Sequence, residues 1–297
     1  MEGGTMASNV QSVDDASSVS AAEAGPPRSR RAADAAAAKR RSRNRKLKKM
    51  IWPLVSTLSV VVFLGAWQIA ASTEAVNPLF TSSPSRAVEA FRDLVDRGEL
   101  WPNLWISAQE FLIGFGLAVV VGIPLGILIG WYRPVEAVFS PFVTFMNSIP
   151  RIALLPLLII WIGIGVPLKI TIVFLGAVIA ILINTIAGMK ALDQQLLTMA
   201  RSFKASDFQI FRTIALPGSV PFILSGLRFG LGHSLVGVVV GEMFASNQGI
   251  GHIIAVAGNT FQTDLVFVGV VIIASFGLLF TWLLARLEQR FESWRKP

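Results

Sequence analysis

Six long apolar blocks separated by short polar intervals fill the chain from about residue 52 to residue 285. Each approaches the roughly 20 apolar residues that carry an α-helix across a ~30 Å hydrocarbon layer, so the pattern predicts an all-α, polytopic membrane protein. The spans read as about Trp52–Ser72, Leu104–Gly130, Val135–Ile162, Lys169–Gly188, Gly218–Gly241 and Leu265–Ala285. Between the first two, Ser83 caps a helix that has Pro84 at its first position. Ala87, Val88, Phe91, Leu94 and Val95 line one face of it before Gly98, as in a helix lying flat on a membrane surface. The second span places Gly114, Ala118, Gly122, Gly126 and Gly130 four residues apart, a row that lets another helix approach backbone to backbone. Pro141, Pro150 and Pro156 interrupt the third. Carbonyls freed by proline survive in a membrane only beside protein or a wet cavity, so the stretch from Asn147 to Pro156 is expected to face the bundle interior.

The long polar interval from Lys190 to Pro217 reads as two short helices. Asp193 caps the first, and Ser206 with Gln209 has capping-box spacing at the start of the second, which Leu216 and Pro217 end. Phe203, Phe208 and Phe211 stand among polar neighbours there. Either they fold back on the protein's own membrane face or they dock a partner.

Charge changes the picture next. The net +8 is concentrated before the first span, where the run from Lys39 to Lys49 suits an anchor on anionic lipid better than a nucleic-acid site. Residues 1–50 read as a disordered, basic cytoplasmic tail poor in core-forming side chains. Lys and Arg concentrate at the termini and the 190–217 interval, while Arg86, Arg92, Arg97 and Lys169 fall on the other side. Six spans then put both termini and the polar interval in the cytoplasm. The absence of cysteine excludes disulfides and thiolate metal sites; two histidines without an acidic cluster point to no metal. No P-loop sequence occurs, so no ATP site is expected in this chain.

In the polar interval Thr198, Met199, Ala200, Lys204, Ile214, Leu216 and Pro217 keep the frame of a known motif: Glu-Ala-Ala, three residues, Gly, nine residues, Ile, one residue, Leu-Pro. The stretch resembles the coupling loop of ABC importer permeases, with Thr198 in place of the Glu and Lys204 in place of the Gly. Either Lys204 takes a left-handed conformation or Ala205 and Ser206 make the bend. Further matches are Ser83-Pro-Ser85, Ser148 to Pro156, Trp161-Ile-Gly-Ile-Gly165, Leu227 to Gly232, Gly241-Glu-Met243, Asn247-Gln-Gly-Ile-Gly251 and Phe261-Gln-Thr-Asp264. Together they are closest to inner-membrane permeases of the nitrate, sulfonate, taurine and bicarbonate importers, over nearly all of residues 51–297.

That resemblance implies a non-enzymatic permease domain in a bacterial plasma membrane. Its implied partners are a second permease copy, an extracytoplasmic substrate-binding protein and two ATPase subunits, which hold ATP and magnesium. Thr198, Met199, Ala200, Phe203, Lys204, Ser206, Asp207, Phe208, Phe211, Ile214, Leu216 and Pro217 would form the ATPase-coupling surface. Arg228 lies ~16 Å along a helix beyond Pro217, and an ionised group near mid-membrane marks a pathway by default. Arg228 and Arg151, with Asn147 and Ser148, either line an anion path or are neutralised by a carboxylate or freed carbonyls. Glu242 and Asp264 read as gate or interface residues. Glu110 reads as a surface or pairing residue, His233 as a neutral, hydrogen-bonded interior residue, and Asn147 and Asn184 as helix-to-helix hydrogen bonders rather than ligands. An ion-coupled secondary transporter would need an inverted repeat and a central acid, which the spans do not display; a structural membrane subunit is the other alternative.

Overall fold

The computed structural model describes residues 54–73 and 81–291, with backbone alone at 290 and 291; the 1–50 tail lies outside them. The elements are α1 (Leu54–Ser72), α2 (Pro84–Asp96), α3 (Leu100–Trp131), α4 (Arg133–Ser148), a 3-10 turn (Arg151–Leu154), α5 (Leu155–Ile162), α6 (Val166–Lys190), α7 (Gln194–Ser202), α8 (Asp207–Ala245), α9 (Ile250–Asn259) and α10 (Thr263–Phe291). Five of them are long and apolar enough to span a membrane; the pair α4 and 151–162, bent by 92°, makes a sixth if it is counted as one broken span.

Helix α6 is the hub, packed on α3 along one side and α8 along the other. The predicted glycine row makes the first contact. A Cβ at Gly114 would sit 2.6 Å from Val173 Cβ, and one at Gly126 2.6 Å from Thr185 Cβ. These backbones touch where lipid supplies no hydrophobic drive, so dispersion at close range holds them. On the other side Gly226, Gly230 and Gly237 of α8 meet Ile181, Ala177 and Ile172 of α6 in the same way. Phe111, Val173, Leu231 and Val238 close one core cluster, with Phe276 and Phe280 of α10 against it.

Two expectations need correction. The helix beginning at Ser206 does not stop at Leu216 and Pro217. It continues through a π turn, Phe211–Ala215, into a single 39-residue helix ending at Ala245. Leu216 N–H bonds Phe211 C=O, and Pro217, having no N–H to place, follows where the ladder is already widened. The Asn147–Pro156 stretch enters the interior only in part: Leu155 is buried and Leu154 packs on the Leu158–Leu168 cluster, while Asn147, Ser148 and Pro150 are exposed. No residue of α4 is buried, and the break after Ser148 turns the chain along the rim of a cavity, the wet alternative for freed carbonyls.

Helix α2 forms as its caps require: Ser83 Oγ accepts from Arg86 N–H, and Pro84 opens the helix. It packs on α10. Trp67 of α1 meets the Phe267 ring at 4.9 Å, and Gln68 Oε1 accepts from Ser85 N–H at 3.2 Å.

Candidate functional site

At one end of the bundle, α7 and the start of α8 form an elbow. Asp193 caps α7 through Gln195 N–H, and a reciprocal capping box joins Ser206 and Gln209. The bend is a Schellman turn: Lys204 N–H bonds Arg201 C=O at 2.9 Å, and Ala205 N–H bonds Ala200 C=O at 3.1 Å. Lys204 itself has φ 58°, the left-handed geometry that glycine normally supplies, so the first of the two sequence alternatives holds. Thr198 donates to Gln194 C=O within α7.

Leu197, Ile210 and Ala215 bury the elbow's inner side. Its outer side is apolar and uncovered, with Phe203 81%, Phe208 69% and Met199 57% exposed. Ala200 and Ile214 are half-buried, while Ser206 and Asp207 are exposed. Phe211, grouped with Phe208 from the sequence, is half-buried and makes an edge contact with Trp131 at 5.4 Å. The π turn rotates Phe211 away from its predecessor, so the two rings serve different faces. Lys190 pairs with Glu136, tying the start of the elbow to α4.

A cavity of about 450 Å³ opens where the broken span crosses α6 and α8. Asn147, Arg151, Gly176, His233 and Gly237 line it, with Ile149, Pro150 and Val236 among the apolar walls. Arg151 Nη1 donates to Gly176 C=O at 2.9 Å. His233 departs from expectation: it is exposed on the cavity wall, and among the described residues its ring has no hydrogen-bond partner. Ser148 donates to Thr144 C=O and Asn184 to Ala180 C=O, each within its own helix, so Asn184 bridges no helices. Arg228 is not on this cavity. It pairs with Glu288 of α10 at 2.6 Å, neutralised by a carboxylate 60 residues away.

The opposite end holds a buried polar cluster. Lys169, counted from sequence among external charges, is 5% exposed at its side chain and pairs with Glu110, 2% exposed. It also donates to Ser246 Oγ at 3.0 Å. Glu242 Oε1 accepts from Ser107 Oγ at 2.6 Å, and Oε2 from Gly251 N–H at 2.6 Å. Ser107 Oγ accepts from Ile250 N–H, and Asn103 Oδ1 from Gly249 N–H. The Ser246–Gly249 loop and the first turn of α9 are therefore fixed to α3 by neutral bonds and to α6 and α8 by charge-assisted bonds from Lys169 and to Glu242. Sequence reading named Glu242 but missed the Lys169–Glu110 pair, whose only signal was one charge in each of two apolar spans. Nearby, Arg86 and Asp264 pair at 3.1 Å beside a wider cavity of about 660 Å³ lined also by Arg97, Asn103 and His252. Among the described residues, no group of His, Asp and Glu could hold a metal ion.

Comparison with known proteins matches this architecture. Residues 122–293 match the family described as the binding-protein-dependent transport system inner membrane component. A probable ABC transporter permease protein of Brucella abortus (strain 2308) is 34% identical over 82% of this chain and 96% of its own length. The taurine transport system permease protein TauC of Escherichia coli (strain K12) is 32% identical over 83% of this chain and 93% of its own. A putative aliphatic sulfonates transport permease protein of Bacillus subtilis (strain 168) is 32% identical over 79% and 85%. The fold is that of a chain from inward-facing MetNI methionine ABC transporter crystals, with TM-score 0.57 at 19% identity, covering 65% of this chain and 98% of that one. The α6 hub, the elbow that leads into α8 and the sequence matches agree, and the chain belongs to the binding-protein-dependent transport system inner membrane component family.

Proposed function

We propose that this chain is the permease subunit of an ATP-driven importer for a small sulfonate-class anion, assembled as two permease copies on two ATPase subunits. The observation that carries the coupling role is the elbow: an apolar outer face on a rigid, fully capped turn, continuous with a spanning helix. Lipid cannot cover Phe203 and Phe208 beyond the end of the bundle, whereas a groove on a soluble subunit can. Because α8 runs unbroken from Asp207 to Ala245, a push on the elbow is delivered to the far end of the membrane without a hinge. The ATPases supply the differential binding energy between inward- and outward-open states, which is what a conformational change requires. In this reading the elbow and both termini are cytoplasmic, as the distribution of Lys and Arg favours. The extracytoplasmic binding protein then meets the end carrying α2, α9 and the Arg86–Asp264 pair. The solute class follows the taurine and sulfonate names of the relatives.

The test is Phe208→Asp. The variant should insert and melt normally, lose co-purification of the ATPase and lose sulfonate uptake. Uptake at the unsubstituted rate would overturn the assignment.

A further inference from the structure

We infer that the cavity at the broken span is an anion-binding station within the permease itself, built from Arg151 with His233 and Asn147. This rests on the transport reading above and adds to it a residue set and a ligand chemistry: the sulfonate or carboxylate headgroup of the solute.

The argument begins with how the spanning helices neutralise their cations. Lys169, Lys190 and Arg228 each have a carboxylate, from Glu110, Glu136 and Glu288 respectively. Among the described residues Arg133, Arg212 and Arg286 form no ion pair, but they stand near the ends of their helices and are exposed, whereas Arg151 is half-buried. It forms no ion pair among the described residues, and its one internal hydrogen bond, from Nη1 to Gly176 C=O, uses one of five N–H donors. A guanidinium cannot shed its proton, so a charge inside a membrane protein needs an anion or water. Among the described residues, no Asp or Glu lines the cavity.

The bond to Gly176 also orients the group. Gly176 lies against the backbone of His233, where a Cβ would come within 2.9 Å of His233 C=O, so Arg151 is fixed at the α6–α8 crossing. Nε and Nη2 remain for a ligand, and the planar fork suits two oxygens of a sulfonate or carboxylate. His233 and Asn147 line the same space and can each donate a further N–H. A volume of about 450 Å³ takes a solute of a few heavy atoms with some water. One positive charge without a dedicated counter-ion also suits a transport station, which has to release what it binds.

The chain has no cysteine, which permits a direct test. Val236 lines the cavity and is 52% exposed, and Val240 lines it too. Single Val236→Cys and Val240→Cys variants of the full chain, in proteoliposomes with the subunits that co-purify, are labelled with anionic sulfonatoethyl or cationic trimethylammonioethyl methanethiosulfonate. Labelling is read on this chain by intact mass. One unit charge within about 7 Å of the thiol in a wet cavity should shift the anion-to-cation rate ratio on the order of tenfold. Arg151→Gln should abolish that shift, Arg151→Lys should retain it, and millimolar ethanesulfonate should slow the anionic reagent while Arg151 is present. A ratio unmoved by Arg151→Gln, no protection by ethanesulfonate, or no labelling at either position overturns the proposal. Labelling does not depend on uptake: sulfonate import persisting with a negative labelling result would leave the transport reading standing. Failure of import with a positive result would do the reverse.

Discussion

Removing the charge of Lys169 should cost this protein more stability than a substitution at any surface lysine. The side chain is 5% exposed and its partner Glu110 is 2% exposed, so water cannot screen or replace the contact. Lys169→Met leaves a buried carboxylate without its cation and also withdraws the donor from Ser246 Oγ. Breaking one half of a buried pair costs roughly 3–5 kcal/mol. Exchanging both partners for apolar residues of similar size costs little, because the desolvation of both ions is recovered along with the loss of their attraction. The double variant Glu110→Leu/Lys169→Met should therefore be more stable than either single variant, with a coupling energy of about 3 kcal/mol. At about 2–4 °C per kcal/mol for a chain of this size class, Lys169→Met should melt roughly 10 °C below the unsubstituted protein. Scanning fluorimetry on the eight tryptophans in one detergent, for all four members of the cycle, gives the measurement. A single variant within 2 °C of the parent, or a double variant whose loss is the sum of the singles, would refute the reasoning. Either result would mean that the pair is wet.

Further expectations concern the elbow, the helix seam and the loop before α9. Lys204→Gly should leave the elbow intact and change stability by about 0–1 kcal/mol, because relief of the left-handed backbone is offset by the entropy of glycine in the unfolded chain. Lys204→Pro, unable to adopt φ 58° or donate to Arg201 C=O, should break the turn and reduce solute-stimulated ATP hydrolysis in the co-purified complex. Gly126→Val should force α3 and α6 apart where a Cβ already meets Thr185 at 2.6 Å, lowering stability by about 1–3 kcal/mol or more, read as a melting shift. Glu242→Ala should strip the acceptor from Ser107 O–H and Gly251 N–H, two charge-assisted bonds of about 1.5–3 kcal/mol each. Hydrogen exchange should rise at residues 246–252 before it rises in α6.

Contacts between residues close in sequence were legible before any coordinates. The caps at Ser83, Asp193 and Ser206, the four-residue glycine row and the register from Thr198 to Pro217 each depend on residues a few positions apart, where helix geometry fixes what can meet. Even the left-handed Lys204 was one of two conformations left open, since the motif's spacing demands a bend there.

Which helix meets which was not legible. Whether Arg228 lies in a pathway or in an ion pair depends on Glu288, on another helix. Lys169 looked like an end-of-span charge because nothing near it in sequence reveals Glu110. Phe208 and Phe211 are equivalent by periodicity; the π turn and Trp131 separate them, leaving one ring outward and one packed. The apolar blocks alone marked the segments long and apolar enough to cross a membrane, because backbone hydrogen bonds in lipid can be satisfied only within each helix. Which charges are neutralised, and that Arg151 faces the cavity at the broken span with donors to spare, followed only from the packing of the helices, because burial and pairing depend on which helices lie side by side.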